Sequence, residues 1–174
     1  MHAITRRQFS WLLLPGLQAC SKTYGPIPPN YPSATLLIQS DEEWWAMLTP
    51  QQFYVTRQGQ TDPPFTGSYY QSHEDGGFHC VCCDAELFDS RAKYDSRTGW
   101  PSFTAPVALD QLRSVAPVGL GLKAALISGI EVRCSRCDAH LGHIFGDGPA
   151  PNYLRYCINE SALSFKTRRE QIKP

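Results

Sequence analysis

Two cysteine pairs constrain this chain more than any other feature of it. Cys80-x-x-Cys83-Asp84-Ala85-x-Leu87 and Cys134-x-x-Cys137-Asp138-Ala139-x-Leu141 repeat one pattern about fifty residues apart. Each reads as a knuckle, a tight turn whose backbone N–H groups point at thiolate sulfurs. Two knuckles together describe a four-thiolate zinc site. Their separation far exceeds the about 15–20 residues of a compact ribbon, so one ion would clamp two distant parts of a sheet structure. Four thiolates leave no open coordination position. The zinc, one per chain, is therefore expected to be structural and to supply much of the folding free energy. A pair of disulfides is the alternative if the protein is exported, but two matched knuckles are the more specific signal. Cys82, inside the first pair, has no role in this scheme.

The N-terminus points to export. Met1 to Arg7 is short and basic, and Phe9 to Leu17 is mostly apolar but too short to span a bilayer. Arg6-Arg7-Gln8-Phe9 resembles a twin-arginine signal, and Leu17-Gln18-Ala19-Cys20 resembles the lipobox of bacterial lipoproteins. Residues 1–20 are accordingly expected to be a signal. Cys20 would carry a lipid anchor on the periplasmic side of a membrane, with Ser21 suggesting the outer one. An ordinary cleaved signal with an incidental Cys20 is the simpler alternative. Export by the twin-arginine route fits metal loading in the reducing cytoplasm. Residues 21–39, with four prolines between Pro26 and Pro32, suit a semi-extended tether. The folded domain is expected over 40–166 and a tail over 167–174.

Within that domain, 14 prolines and 13 glycines in the whole chain punctuate short apolar stretches, which favours a β-rich, loop-heavy architecture. Equal counts of basic and acidic residues, 16 each, leave no electrostatic footprint for nucleic acid. Ser40-Asp41-Glu42-Glu43 predicts a capped helix that Pro50 stops. Phe53 to Thr56 reads as a short strand and Asp62 to Gly67 as a turn or irregular loop. Strands are expected at Phe78–Val81 and Glu131–Arg133, leading into the two knuckles. Tyr153 to Ile158 alternates, with Arg155, Cys157 and Asn159 on one face and Leu154, Tyr156 and Ile158 on the other. That places an unpaired thiol on a polar face beside a guanidinium, where its pKa would be lowered for nucleophilic attack. A buried, inert thiol is the common alternative for a lone cysteine.

Four stretches in this order resemble the B-type methionine sulfoxide reductases, which act on the R epimer. They are the paired knuckles; Lys93-Tyr94-Asp95-Ser96-Arg97-Thr98-Gly99-Trp100-Pro101-Ser102-Phe103; His140-Leu141-Gly142-His143-Ile144-Phe145-x-Asp147-Gly148; and Arg155-Tyr156-Cys157-Ile158-Asn159. The likeness runs from about Asp41 to Phe165. It implies a mainly β fold, two antiparallel sheets in a tent-like, zinc-stabilised arrangement with one or two short N-terminal helices. It implies a monomer that reduces methionine sulfoxide in oxidised proteins, with the active site away from the zinc. Cys157 would be the nucleophile and His140 or His143 the proton donor to the departing oxygen. Asp147 would orient a histidine or Arg155, and Asn159 would hydrogen-bond near the thiolate. Trp100 would wall the substrate methyl, with Phe103 lining the same pocket.

The chain departs from the family pattern at one telling place. Many members carry a resolving cysteine two residues before the pocket tryptophan, and here that residue is Thr98. A Cys157 sulfenic acid would then be reduced directly by an external thiol, such as a thioredoxin-like domain at the membrane. Two other classes compete. A non-catalytic binding module of the same fold would have no need of Cys157 beside Arg155. A thiol–disulfide oxidoreductase using one C-x-x-C would leave the duplicated motif unexplained.

Overall fold

The computed structural model describes residues 22–30 and 36–172. The expected signal and Cys20 lie outside the described residues. Two short helices come first, α1 (Asp41–Met47) and α2 (Pro50–Gln58). In α1 the predicted capping box is formed: Ser40 Oγ accepts from the Glu43 N–H and the Glu43 carboxylate accepts from the Ser40 N–H. The expected strand at Phe53–Thr56 is instead the middle of α2. Thr49 and Gln52 form a second capping box, Pro50 occupies the first helical turn, and Gly59 ends the helix in the left-handed region at φ 69°. One proline thus terminates the first helix and opens the next. The buried Phe53, Val55 and Thr56 serve the core from a helix.

The rest is antiparallel β structure. The strands are β1 (Gly76–Cys80), β2 (Glu86–Asp89), β3 (Lys93–Tyr94), β4 (Ser102–Phe103), β5 (Leu112–Val115), β6 (Ile130–Cys134), β7 (His140–Phe145), β8 (Arg155–Ile158) and β9 (Leu163–Thr167). A third helix, α3 (Leu122–Ser128), precedes β6, and α4 (Arg168–Ile172) follows β9. They make a three-stranded sheet, β2-β1-β9, and a six-stranded sheet, β3-β4-β8-β7-β6-β5. Aromatic rings fill the space between them. Phe103 of β4 stacks on Phe88 of β2 at 4.4 Å and meets Phe78 of β1 edge-on at 5.1 Å. This mainly β, two-sheet architecture agrees with the fold the sequence implied.

The first and last described segments are both tied to the sheets. Residues 22–30 carry no helix or strand, yet the Pro28 and Pro29 carbonyls accept from the Ser114 hydroxyl and N–H at 2.7 and 2.9 Å. Ser114 lies on β5, the outer strand of the larger sheet, whose exposed backbone groups are thereby partly satisfied. At the other end, Arg168 of α4 pairs with Asp75 and Asp89. The stretch expected as a tail therefore contains a helix fastened to the smaller sheet.

Candidate active site and metal centre

The two knuckles are built alike and face each other. The Cys80 N–H donates to Ala85 C=O and the Asp84 N–H to Cys80 C=O. In the second knuckle Cys134 bonds Ala139, and Asp138 bonds Cys134, in the same way. Asp84 and Asp138 both take left-handed φ, 61° and 58°. The sulfurs meet crosswise, Cys80 with Cys137 and Cys83 with Cys134, each at 3.6 Å. All four ligand atoms lie within 4.8 Å of one another. A tetrahedral ion with metal–sulfur bonds of about 2.3 Å puts its sulfurs about 3.8 Å apart, so the cluster fits one such ion. The disulfide alternative does not match, because all four thiols are free. The first knuckle joins β1 to β2 and the second joins β6 to β7, so an ion there links the two sheets.

Cys157 sits elsewhere, on β8 in the middle of the larger sheet, directly across from His143 of β7. The alternation foreseen for this strand holds: Leu154, Tyr156 and Ile158 are each 1% exposed, and Cys157 points the other way. It opens into a cavity of about 120 Å³ lined by Thr61, Trp100, Gly142, His143, Phe145, Ile158 and Asn159 as well as the thiol itself. Gly142 is required by close approach, since a Cβ there would run into the Cys157 carbonyl oxygen.

The electrostatics differ from the expectation of a lowered thiol pKa. Burial pushes the Cys157 thiol above its ordinary value. The Arg155 charge and a hydrogen bond from Thr98 pull it back without cancelling that effect. Arg155 is itself held in place. Its Nε and Nη2 donate to both oxygens of Asp147 at 2.8 and 2.9 Å, and its guanidinium stacks on the Phe145 ring at 4.5 Å. Asp147, expected to act on a histidine or on the arginine, is paired with the arginine.

The two histidines occupy different positions. His143 lines the cavity, and burial followed by its neighbour His140 lowers its pKa. His140 lies behind it, 3% exposed, with its ring 5.5 Å from that of His143. Its Nδ1 contacts Glu131 Oε1 at 2.8 Å, while its buried Nε2 has no hydrogen-bond partner. The His140 hydrogen bond, more than any other influence, holds Glu131 down at about 2.

Two expected site residues do other work. Phe103 is fully buried between the sheets and does not reach the cavity, because β4 directs it toward Phe88 and Phe78. Asn159 lines the cavity, but its amide is engaged by backbone: it accepts from Asp62 N–H at 2.9 Å and donates to Leu141 C=O at 3.1 Å. Asp62, which reads in the sequence only as a loop residue, is central. Its carbonyl accepts from Trp100 Nε1 at 2.9 Å, and its carboxylate accepts from Ser161 and Gln51. The indole wall and the Asn159 side of the cavity are fixed through this one loop position. Only the Asp62-Pro63 turn signal marks it in the sequence. Thr98, notable in the sequence only for not being cysteine, contacts the thiol and is bonded onward to Ser96, which in turn bonds Ser102. Cys82 is buried in the first knuckle and does not line the cavity.

Comparison with known proteins gives a consistent result. The SelR domain model matches residues 48–167. A peptide methionine sulfoxide reductase MsrB of Thioalkalivibrio sulfidiphilus is 51% identical over 127 residues, 73% of this chain and 89% of that protein. The mitochondrial methionine-R-sulfoxide reductase B2 of Homo sapiens is 51% identical over 129 residues, 73% of this chain and 71% of that protein. The MsrB of Escherichia coli O139:H28 is 48% identical over 126 residues, covering 72% and 88% respectively.

Proposed function

The chain belongs to the MsrB family of SelR-domain oxidoreductases that reduce methionine sulfoxide, and on that footing we propose that it reduces the R epimer of protein-bound methionine sulfoxide through Cys157. The observation that carries the proposal is the single thiol opposite His143 in a cavity walled by Trp100, with Arg155 locked onto Asp147 beside it. The substrate methyl rests on the indole, and the sulfur faces Cys157. The thiolate attacks the sulfoxide sulfur while a protonated histidine donates to the oxygen. His143 is the donor that lines the cavity; its lowered pKa makes its protonated form a stronger acid. His140, anchored by Glu131, backs it. The hydroxyl so formed moves to the Cys157 sulfur as the new sulfur–sulfur bond breaks and its electron pair returns to the substrate, so that thiol plus sulfoxide gives sulfenic acid plus methionine.

With Thr98 at the position of a resolving cysteine, an external thiol condenses with the sulfenic acid and releases water. A second thiol then frees Cys157 and carries the disulfide away. A membrane-linked thioredoxin-like domain suits this role. The ion in the four-thiolate site is zinc, which supplies structural cross-linking and takes no part in catalysis. The basic–apolar leader and Cys20 support export and lipid anchoring, with oxidised exported proteins as substrates. Equal palmitate labelling of wild type and Cys20→Ala would sink the anchor.

The deciding experiment supplies separated R and S epimers of a methionine sulfoxide peptide, with dithiothreitol, to wild type and Cys157→Ser. Turnover of R alone, lost in Cys157→Ser, is expected. No turnover by folded, metal-loaded wild type would favour a binding module instead. A Cys157–Cys82 disulfide after one turnover would overturn external resolution.

A further inference from the structure

The segment preceding the family domain packs on a loop that flanks the active site. Residues 22–30 lie before the matched region 48–167, yet they touch the β7–β8 loop at both ends. Tyr24 covers Gly146, with ring atoms 2.9–3.1 Å from where a Cβ would stand. At the other end of the loop, Gly25 N–H donates to Asn152 C=O at 2.9 Å and Lys22 Nζ lies 5.2 Å from the centre of the Tyr153 ring. The segment is moored beyond this by Pro28 and Pro29 on Ser114 of β5. The loop so covered carries Asp147, the partner that fixes Arg155 beside Cys157.

On the inner side the loop is held to α3 by Gly146 N–H donating to Leu126 C=O at 3.1 Å. Between α3 and the segment remains a cavity of about 230 Å³, lined by Tyr24, Leu126, Ile127, Phe145, Gly146 and Asp147. The loop therefore has room to shift, and Tyr24 is the side chain that covers it from that direction.

We propose that residues 22–29 are a strap and that Tyr24 is a positioning residue, which through Gly146 and Asp147 keeps the Arg155 guanidinium beside the Cys157 sulfur. The consequence drawn for turnover rests on the reductase reading above; the positioning itself does not. Several groups face that sulfur. They are Arg155 and, through it, Asp147; His143 across the sheet; the Tyr94 hydroxyl of β3; and the Thr98 hydroxyl. Of these, the Arg155–Asp147 pair is the one the strap braces.

The test compares full-length wild type, Tyr24→Ala and Tyr24→Phe. Carbamidomethylation of Cys157 by iodoacetamide is followed against pH by mass spectrometry of the Cys157 peptide. Tyr24→Ala is expected to move the midpoint up by about half a pH unit, roughly a threefold loss of thiolate at neutral pH. Its kcat/KM on the R sulfoxide, relative to wild type at the same pH, should fall in step at neutral pH and return toward wild type in alkali, while Tyr24→Phe keeps the wild-type midpoint. A folded, metal-loaded Tyr24→Ala with an unchanged midpoint overturns the strap. Absence of sulfoxide turnover in every protein would overturn the reductase reading alone, since the midpoint is read without substrate.

Discussion

Cys157 is governed by two opposed influences that meet within one cavity. Burial raises its pKa and the Arg155 charge lowers it, so the arginine limits a cost that the cavity itself imposes. Arg155→Gln removes the opposing charge. The thiolate limb of the kcat/KM profile should move to higher pH, and a rise of about one pH unit in that limb lowers the rate about tenfold at any fixed pH below it. A profile superimposable on wild type would rule out the guanidinium as the relevant charge. Glu131 provides a second pH-dependent residue. Its folded-state pKa is about 2 against an ordinary 4.5, owing first to His140 and then to Arg133. Its contribution to stability is complete above the ordinary value and is lost as pH falls toward the folded one. Urea midpoints measured from about pH 6 down to about pH 3 should therefore fall less steeply in Glu131→Gln than in wild type.

At the scale of elements, the β7–β8 pair carries thiol and histidine on adjacent strands, and their approach depends on Gly142. Gly142→Ala should destabilise the domain by about 1–3 kcal/mol in urea unfolding and displace Cys157 from His143, with loss of turnover. Full stability in that variant would contradict the close approach of the two strands. Elements whose signals are local are legible in the sequence. The knuckles, the Ser40 cap and the alternation around Cys157 each lie within a few residues of chain. Phe53–Thr56 is not, because four β-favouring residues outweigh the Thr49 cap, and Pro50 reads as a stop although it also starts a helix. Phe103 and the thiol pKa escape for another reason. Each depends on residues brought in from distant strands and loops, Phe88 and Phe78 for the ring and Thr61, Trp100 and Phe145 for the burial. Asp62 lies equally out of reach, since its partners Asn159 and Ser161 are about a hundred positions away.

For the whole molecule, the four-cysteine cluster is a joint between sheets, whereas the Cys157 cavity lies within one of them. Chelation of the metal-loaded protein should lower the unfolding midpoint sharply, and Cys134→Ser should leave a protein that neither retains the ion nor folds cooperatively. If the chelated protein kept its melting temperature, the ion would be ornamental to the fold. Among the described residues no helix is long and apolar enough to cross a membrane.

The crosswise meeting of the knuckles has a consequence for how the molecule is made. Cys80 faces Cys137 and Cys83 faces Cys134, and each hairpin would supply two of the four ligands to an ion held between them. Neither hairpin can keep the ion until the other has arrived in register. Stoichiometric metal in a preparation would thus be a census of correctly assembled chains, and a misassembled copy would identify itself by coming out empty.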